Sequence, residues 1–249
     1  MTQGATPEAR VAIVTGGSRG IGRSVVQRLA ADGYSILVGY TSNQHEANAA
    51  VAEAEAQGAR AIAAAADIAD EDAVAGVFDQ AEQAFGGIDV VVNAAGLMSL
   101  APLADFDLAV LDRMHRTNIR GTFVVDQQAA RRVRAGGAII NFSSSVLGRV
   151  LPTYTGYAAS KAAVEAMTFI LAHELRGRDI TVNAVAPGPT ATDMFLEGKD
   201  EELVNRLANA APLERLGLPD DIAQVVAFLA SPAGHWINGQ TVRANGGII

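Results

Sequence analysis

Short runs of apolar, largely β-branched residues recur along this chain, and a stretch with helical spacing separates most of them from the next. The runs are "VAIVT" (11–15), "SILVGY" (35–40), "ARAIAAAA" (59–66), "IDVVVN" (88–93), "GAIINFS" (137–143), "ITVNAVA" (180–186) and "QTVRA" (240–244). A strand with one face in water alternates apolar and polar residues. Most of these runs are continuously apolar, as strands buried on both faces are. Helical patterns are predicted over 20–32, 43–57, 70–85, 107–134, 155–176, 200–210 and 219–230. Alternating β and α elements imply a parallel sheet covered by helices on both faces. The predicted fold is therefore α/β and doubly wound, with a mainly parallel seven-stranded sheet. No linker, repeat or charge block divides the chain. Its 249 residues suit one α/β unit, so residues 1–249 are expected to form a single domain.

The first strand runs into "TGGSRGIGRSVVQRLA". Gly16, Gly20 and Gly22 follow G-x-x-x-G-x-G, with Gly17 as an extra glycine. Glycine lets a backbone turn sharply and approach a ligand closely. The helix that follows presents unpaired N–H groups and the positive end of its dipole, which suits a pyrophosphate. A glycine-rich turn that binds nothing is the competing reading. The spacing also differs from the G-x-G-x-x-G dinucleotide fingerprint.

Further along, "YAASK" places Tyr157 and Lys161 at i and i+4 on one helix face. A nearby ammonium stabilises phenolate and is expected to lower the tyrosine pKa toward working pH. With "TGGSRGIG", "NAAG" (93–96), Asn118 in "TNIRG", "NFSSS" (141–145) and "PGPTATD" (187–193), this segment completes an ordered set of motifs. The order and spacing resemble those of the short-chain dehydrogenases/reductases over nearly the whole chain, including "INGQTVRANGG" near its end. In style the sequence is most similar to the 3-oxoacyl-acyl-carrier-protein reductase-like branch. The resemblance implies a Rossmann-like fold and hydride transfer between a nicotinamide cofactor and a carbonyl or secondary alcohol, with reduction of a ketone or 3-oxoacyl-type substrate the expected direction.

The same resemblance implies roles for individual residues. Tyr157 would give its proton to the carbonyl oxygen as hydride reaches the carbonyl carbon, and Lys161 would also hold the nicotinamide ribose. Ser144, thirteen residues before Tyr157, would polarise the carbonyl. Its neighbours Ser143 and Ser145 complicate this, because Gly148 stands at the spacing that would favour Ser145. Asn118 would support a proton relay through water and Lys161; a helix-interior asparagine bonded to backbone is the plainer reading. Ser18, Arg19 and Ile21 belong to the glycine loop. Asp67 and Ile68 match an adenine contact. Asn93, Ala94 and Gly96 would line the cofactor cleft, with Pro187 and Gly188 in a turn over the nicotinamide. Thr190 and Thr192 would bond the carboxamide and pyrophosphate, or simply cap a helix. Met194, Phe195 and Leu196 would cover the substrate.

Cofactor choice is read at the end of the second strand, where relatives that favour NAD place a carboxylate. Here Tyr40 stands at that position, followed by Thr41, Ser42 and Asn43, with no carboxylate until Glu46. Arg19 is placed to engage a 2′-phosphate. NADP(H) is the expected cofactor, with NAD(H) as a second possibility. An NAD-dependent dehydrogenase of sugars, steroids or other alcohols is the alternative activity. A non-catalytic dinucleotide-sensing regulator is the alternative from another class.

Net charge of −8 argues against general affinity for nucleic acid or anionic membranes. No apolar stretch reaches membrane-spanning length. The polar start "MTQGATPEAR" lacks a signal core, so a cytoplasmic location is expected. The absence of cysteine excludes disulfides and zinc thiolate sites. His45, His115, His173 and His235 are scattered without metal-ligand spacing, so no metal site is expected. The helix at 155–176 is apolar around more of its circumference than one buried stripe requires. That excess predicts a subunit interface, and the family resemblance implies a homotetramer. The basic run "RRVRAGG" (131–137) would suit an acidic carrier protein, although arginine at a helix C-terminus is favourable without any partner.

Overall fold

Strands β1 (Val11–Thr15), β2 (Ser35–Tyr40), β3 (Ala61–Ala65), β4 (Ile88–Asn93), β5 (Val133–Phe142), β6 (Ile180–Pro187) and β7 (Thr241–Ala244) form one sheet. Their order is β3-β2-β1-β4-β5-β6-β7, and every neighbouring pair is parallel. The computed structural model describes residues 9–249. Residues 1–8, most of the polar start read above for a signal core, lie outside the described residues.

The apolar runs are continuous because each strand feeds two cores. Ala12, Val14, Val90, Val92 and Ile140 face α1 (Gly20–Ala31) and α9 (Pro219–Ala230). Ile13, Leu37, Val91, Ile139 and Val182 face α3 (Glu71–Phe85), α5 (Thr122–Arg132) and α6 (Thr155–Glu174). The chain enters mid-sheet at β1, winds outward to β3, then crosses back to β4 on the other side. Strand order thus reverses between β1 and β4, where a crevice opens outside the carboxyl ends of the strands.

Three expectations are corrected. The helix expected over 107–134 is three pieces: α4 (Leu108–His115), a π-helical turn (Arg116–Gly121) and α5. The wide turn carries Asn118 to the strand ends, where its side chain bonds Leu97, and the Thr122 hydroxyl donates to the Asn118 carbonyl at 2.7 Å. Gly121 sits flush on Ile68, where an added Cβ would lie 2.6 Å from the side chain. Next, β5 begins at Val133, not 137. Its pairing with β4 shifts register between Ile88↔Val133 and Val90↔Ala138, so the turn and the strand merge. Finally, the stretch before α8 (Glu201–Ala208) contains an unexpected short helix, α7 (Asp193–Leu196).

The basic run is largely committed within the chain. Arg132 pairs with Asp79 and Glu82, each at 2.6 Å, and Arg134 with Asp89 at 2.5 Å. His115 lies against the Gly156 carbonyl, His173 stacks edge-on to Phe169 and His235 contacts Asp179. On α6, Phe169 and Ile170 are each 56% exposed, and Phe123 on α5 is 57% exposed. Among the described residues no helix is long and apolar enough to cross a membrane.

Candidate active site

The crevice holds a cleft of about 580 Å³. One end is built by the β1–α1 turn. Gly16 has φ +65°, and a Cβ there would lie 2.9 Å from the Ala95 backbone. A Cβ on Gly22 would fall 2.2 Å from the Gly16 carbonyl oxygen, so helix and loop touch because both residues are glycine. Arg19 is the N-cap of α1 and makes no side-chain cap, so the first N–H groups face the cleft uncovered. Ser18, Gly20 and Ile21 line the same turn. Such a cradle fits a pyrophosphate.

Tyr40, Thr41, Ser42 and Asn43 line the cleft from the end of β2. Asn43 also caps α2 (Gln44–Ala56), accepting from the Glu46 amide at 3.2 Å. Glu46 reaches the cleft too, but Arg23 holds its carboxylate at 2.6 Å. Arg19 is exposed, and its side chain has no ion pair or hydrogen bond among the described residues. Asp67 and Ile68 line the wall after β3; the Asp67 carboxylate accepts from Arg116 and from the Ala69 amide.

The floor comes from β4. Ala94 and Gly96 line it. Asn93 lies buried beneath, its Oδ1 accepting from the Thr15 hydroxyl at 3.0 Å. Asn118 is likewise beneath the surface and 1% exposed. Its Nδ2 donates to the Leu97 carbonyl at 2.8 Å and the Ser160 hydroxyl at 3.0 Å, while its Oδ1 accepts from the Leu97 amide at 2.8 Å. Two of these bonds go to the Leu97 backbone, as the plainer expectation had it, and the third goes to a side chain. A Cβ on Gly96 would lie 3.4 Å from Asn118 Oδ1 and 3.7 Å from Lys161 Nζ, so both flank one point of the floor.

The three serines after β5 have separate fates. Ser143 is buried and donates to Glu165 at 2.6 Å. Ser145 is buried and donates to the Ala186 carbonyl at 2.9 Å. Ser144 faces the Tyr157 hydroxyl. Burial pushes Tyr157 up to about 12, and the hydrogen bond from Ser144 works against that rise. The Lys161 ammonium lies 5.7 Å from the Tyr157 ring centroid and donates to the Phe142 carbonyl at 2.8 Å. Burial lowers its own pKa to about 8. The expectation that lysine draws the tyrosine pKa toward neutrality is therefore reversed here: desolvation dominates and Tyr157 is a neutral phenol at pH 7.

Pro187, Gly188, Thr190 and Thr192 close the cleft from beyond β6. Thr190 is buried and donates to the Gly188 carbonyl at 2.9 Å. Thr192 caps α7, accepting from the Phe195 amide at 3.3 Å, and its methyl lies over the glycine loop near Gly20. Met194 and Phe195 line the cleft. Leu196 points elsewhere and is 39% exposed.

Sequence reasoning missed part of the far wall: Leu97, Met98, Arg149, Leu151, Tyr154, Leu207 and Ile248 all line it. Arg149 and Tyr154 fall between Ser144 and Tyr157 in sequence, which was a usable signal. Leu207 and Ile248 arrive from elements distant in sequence and left none.

A family model described as enoyl-(acyl carrier protein) reductase matches residues 16–249. A short-chain type dehydrogenase/reductase of Picea abies is 48% identical, over 96% of this chain and 92% of its own length. An Arabidopsis thaliana protein named NADPH-dependent aldehyde reductase 2, chloroplastic, is 42% identical over 96% of this chain and 94% of its own. The crystal structure of a short chain dehydrogenase from Burkholderia cenocepacia in complex with NADP superposes with a TM-score of 0.91. It is 40% identical and covers 98% of this chain and 99% of that one.

Proposed function

Because the chain belongs to the short-chain dehydrogenase/reductase family, we propose that it reduces a carbonyl compound with NADPH. The observation that carries this is the Ser144–Tyr157–Lys161 cluster at one end of a cleft whose other end is a glycine cradle. The cofactor, when bound, supplies hydride to the carbonyl carbon. Tyr157 holds its proton at neutral pH and donates it to the carbonyl oxygen. Ser144 donates a hydrogen bond to the same oxygen and stabilises its developing charge. Lys161 Nζ, with a pKa near 8, stabilises the phenolate left behind and returns a proton to it. Asn118 fixes the floor beside Lys161 and supports that relay by position, since both N–H groups of its amide are engaged.

The preference for NADPH rests on the cradle's rim. Among the described residues Arg19 has no ion pair or hydrogen bond, and Arg23 neutralises Glu46, so that carboxylate does not oppose a 2′-phosphate there. The relatives named for NADPH and the NADP-bound neighbour support the same choice. The pairing of Arg132 and Arg134 inside the chain favours a free small carbonyl over a carrier-bound one. Phe169, Ile170 and Phe123 support a homotetramer; a single-subunit mass by light scattering at micromolar concentration refutes it. A cytoplasmic location remains the expectation from the sequence.

The test is NADPH consumption with a panel of aldehydes and ketones. Turnover with at least one carbonyl is expected. Tight NADPH binding with no turnover across the panel would favour the regulator instead.

A further inference from the structure

Two arginines line the cleft, on opposite sides of the β1–β4 opening. Arg19 precedes α1, and Arg149 follows β5. Neither guanidinium has an ion pair or hydrogen bond among the described residues, whereas Arg23, Arg116, Arg132 and Arg215 are all paired. Arg19 faces the cofactor's phosphate end. Arg149 lines the cleft from beyond β5, on the side that also carries Ser144 and Tyr157.

Arg149 is part-buried in the wall that leads to Tyr157. Burial raises the Tyr154 hydroxyl pKa, and the Arg149 charge pulls it back. Tyr154 in turn acts electrostatically on Tyr157. Arg149, Tyr154 and Tyr157 all line the cleft, and each lies near enough to the next for its charge to be felt. Around them the wall is apolar, with Leu97, Met98, Leu151, Met194, Phe195 and Leu207. A neutral carbonyl compound needs no cation in such a setting. A partly desolvated charge without a partner is costly unless a ligand completes it. The planar guanidinium fork matches a carboxylate in two parallel hydrogen bonds.

We infer that Arg149 recognises a carboxylate on the substrate, so that the cleft takes an aldehyde or ketone bearing an acid group, its carbonyl at Tyr157 and its carboxylate beyond Tyr154. This rests on the carbonyl-reduction reading. The competing partner is Asp193, an exposed acid at the start of α7 that lines the same cleft.

The experiment compares 4-carboxybenzaldehyde with its methyl ester at saturating NADPH, for wild type, Arg149→Met and Arg149→Lys, each checked for folding by thermal melt. Wild type should favour the acid by about tenfold or more in kcat/KM, mostly through KM, as one charge-assisted contact allows. Arg149→Met should bring the ratio to about one, and Arg149→Lys should recover part of it. Calorimetric titration of benzoate into enzyme with saturating NADP⁺ gives a second readout without turnover. Benzoate binding that Arg149→Met abolishes, with no aldehyde reduced, would uphold this inference and sink the reductase reading. Reduction of the ester with no preference for the acid would do the reverse. Equal losses for both substrates in Arg149→Met would assign Arg149 to Asp193 and overturn the inference.

Discussion

On the β1–β2 side of the crevice Arg19, Thr41, Ser42 and Asn43 stand in solvent; on the β5–α6 side Asn118, Asn141, Ser143, Ser145, Ser160 and Lys161 are buried. The first side recognises through backbone shape, with side chains at the rim in high dielectric. The second side holds its polar groups in a network where each needs a partner. Burial there moves acid–base behaviour a long way: Tyr157 to about 12, Lys161 to about 8 and Asp126 to about 7. A ligand's charge can be read from the solvent rim, but a proton is held and released from the buried side.

The largest effect should come from the buried side. Tyr157→Phe keeps the ring and removes the transferable proton. Its kcat should fall by about 10²–10⁴-fold, while NADPH affinity by fluorescence titration changes little. Near-wild-type kcat would erase the proposed difference between the two sides.

Asp126 offers a second test of the same environment. Asn141 Nδ2 donates to its Oδ2 at 2.9 Å, yet Asp126 Oδ1 and Asn141 Oδ1 have no partner. A proton on Asp126 turns one acceptor into a donor and relieves that conflict. With the carboxyl raised from 3.8 to about 7, its contribution is fully present below pH 3.8 and is lost as pH rises through about 7. Wild type should therefore lose about 4 kcal/mol across that window relative to Asp126→Asn. Urea unfolding from pH 4 to 8 checks this; parallel pH profiles would place Asp126 in a wetter setting.

Effects at the rim should be smaller and selective. Arg19→Ala should weaken NADPH by roughly ten- to a hundredfold, the range of one charged hydrogen-bonded contact, with NADH much less affected. Comparing kcat/KM for both cofactors decides it, and equal losses would refute a 2′-phosphate contact. Asn43→Ala should cost about 1 kcal/mol of stability through the lost α2 cap, measured by urea unfolding. A loss confined to NADPH affinity would make Asn43 a cofactor ligand before a cap.

The elements were legible where one force decides them. Continuous apolar runs meant strands buried on two faces, and β1, β2 and β4 have the bounds read from the sequence. The break at Arg116–Gly121 was not legible: "HRTNIRGT" (115–122) holds one apolar residue, Ile119, but no proline stops the helix, and the backbone stays helical on both sides of the turn. Contacts from Asn118 to Leu97 and from Gly121 to Ile68 open that turn, and both partners are distant in sequence. Ser144 was separated from Ser143 and Ser145 by spacing alone. The structure adds the reason, since its neighbours are occupied by Glu165 and Ala186.

Local pattern by itself determined the doubly wound sheet, the glycine turn and the pairing of Tyr157 with Lys161 on one helix face, because periodicity and backbone sterics act over a few residues. Only the tertiary structure decided the sign of the Tyr157 shift and the presence of Leu207 and Ile248 in the far wall. Desolvation depends on everything packed around a group, and that packing brings together residues the chain keeps far apart.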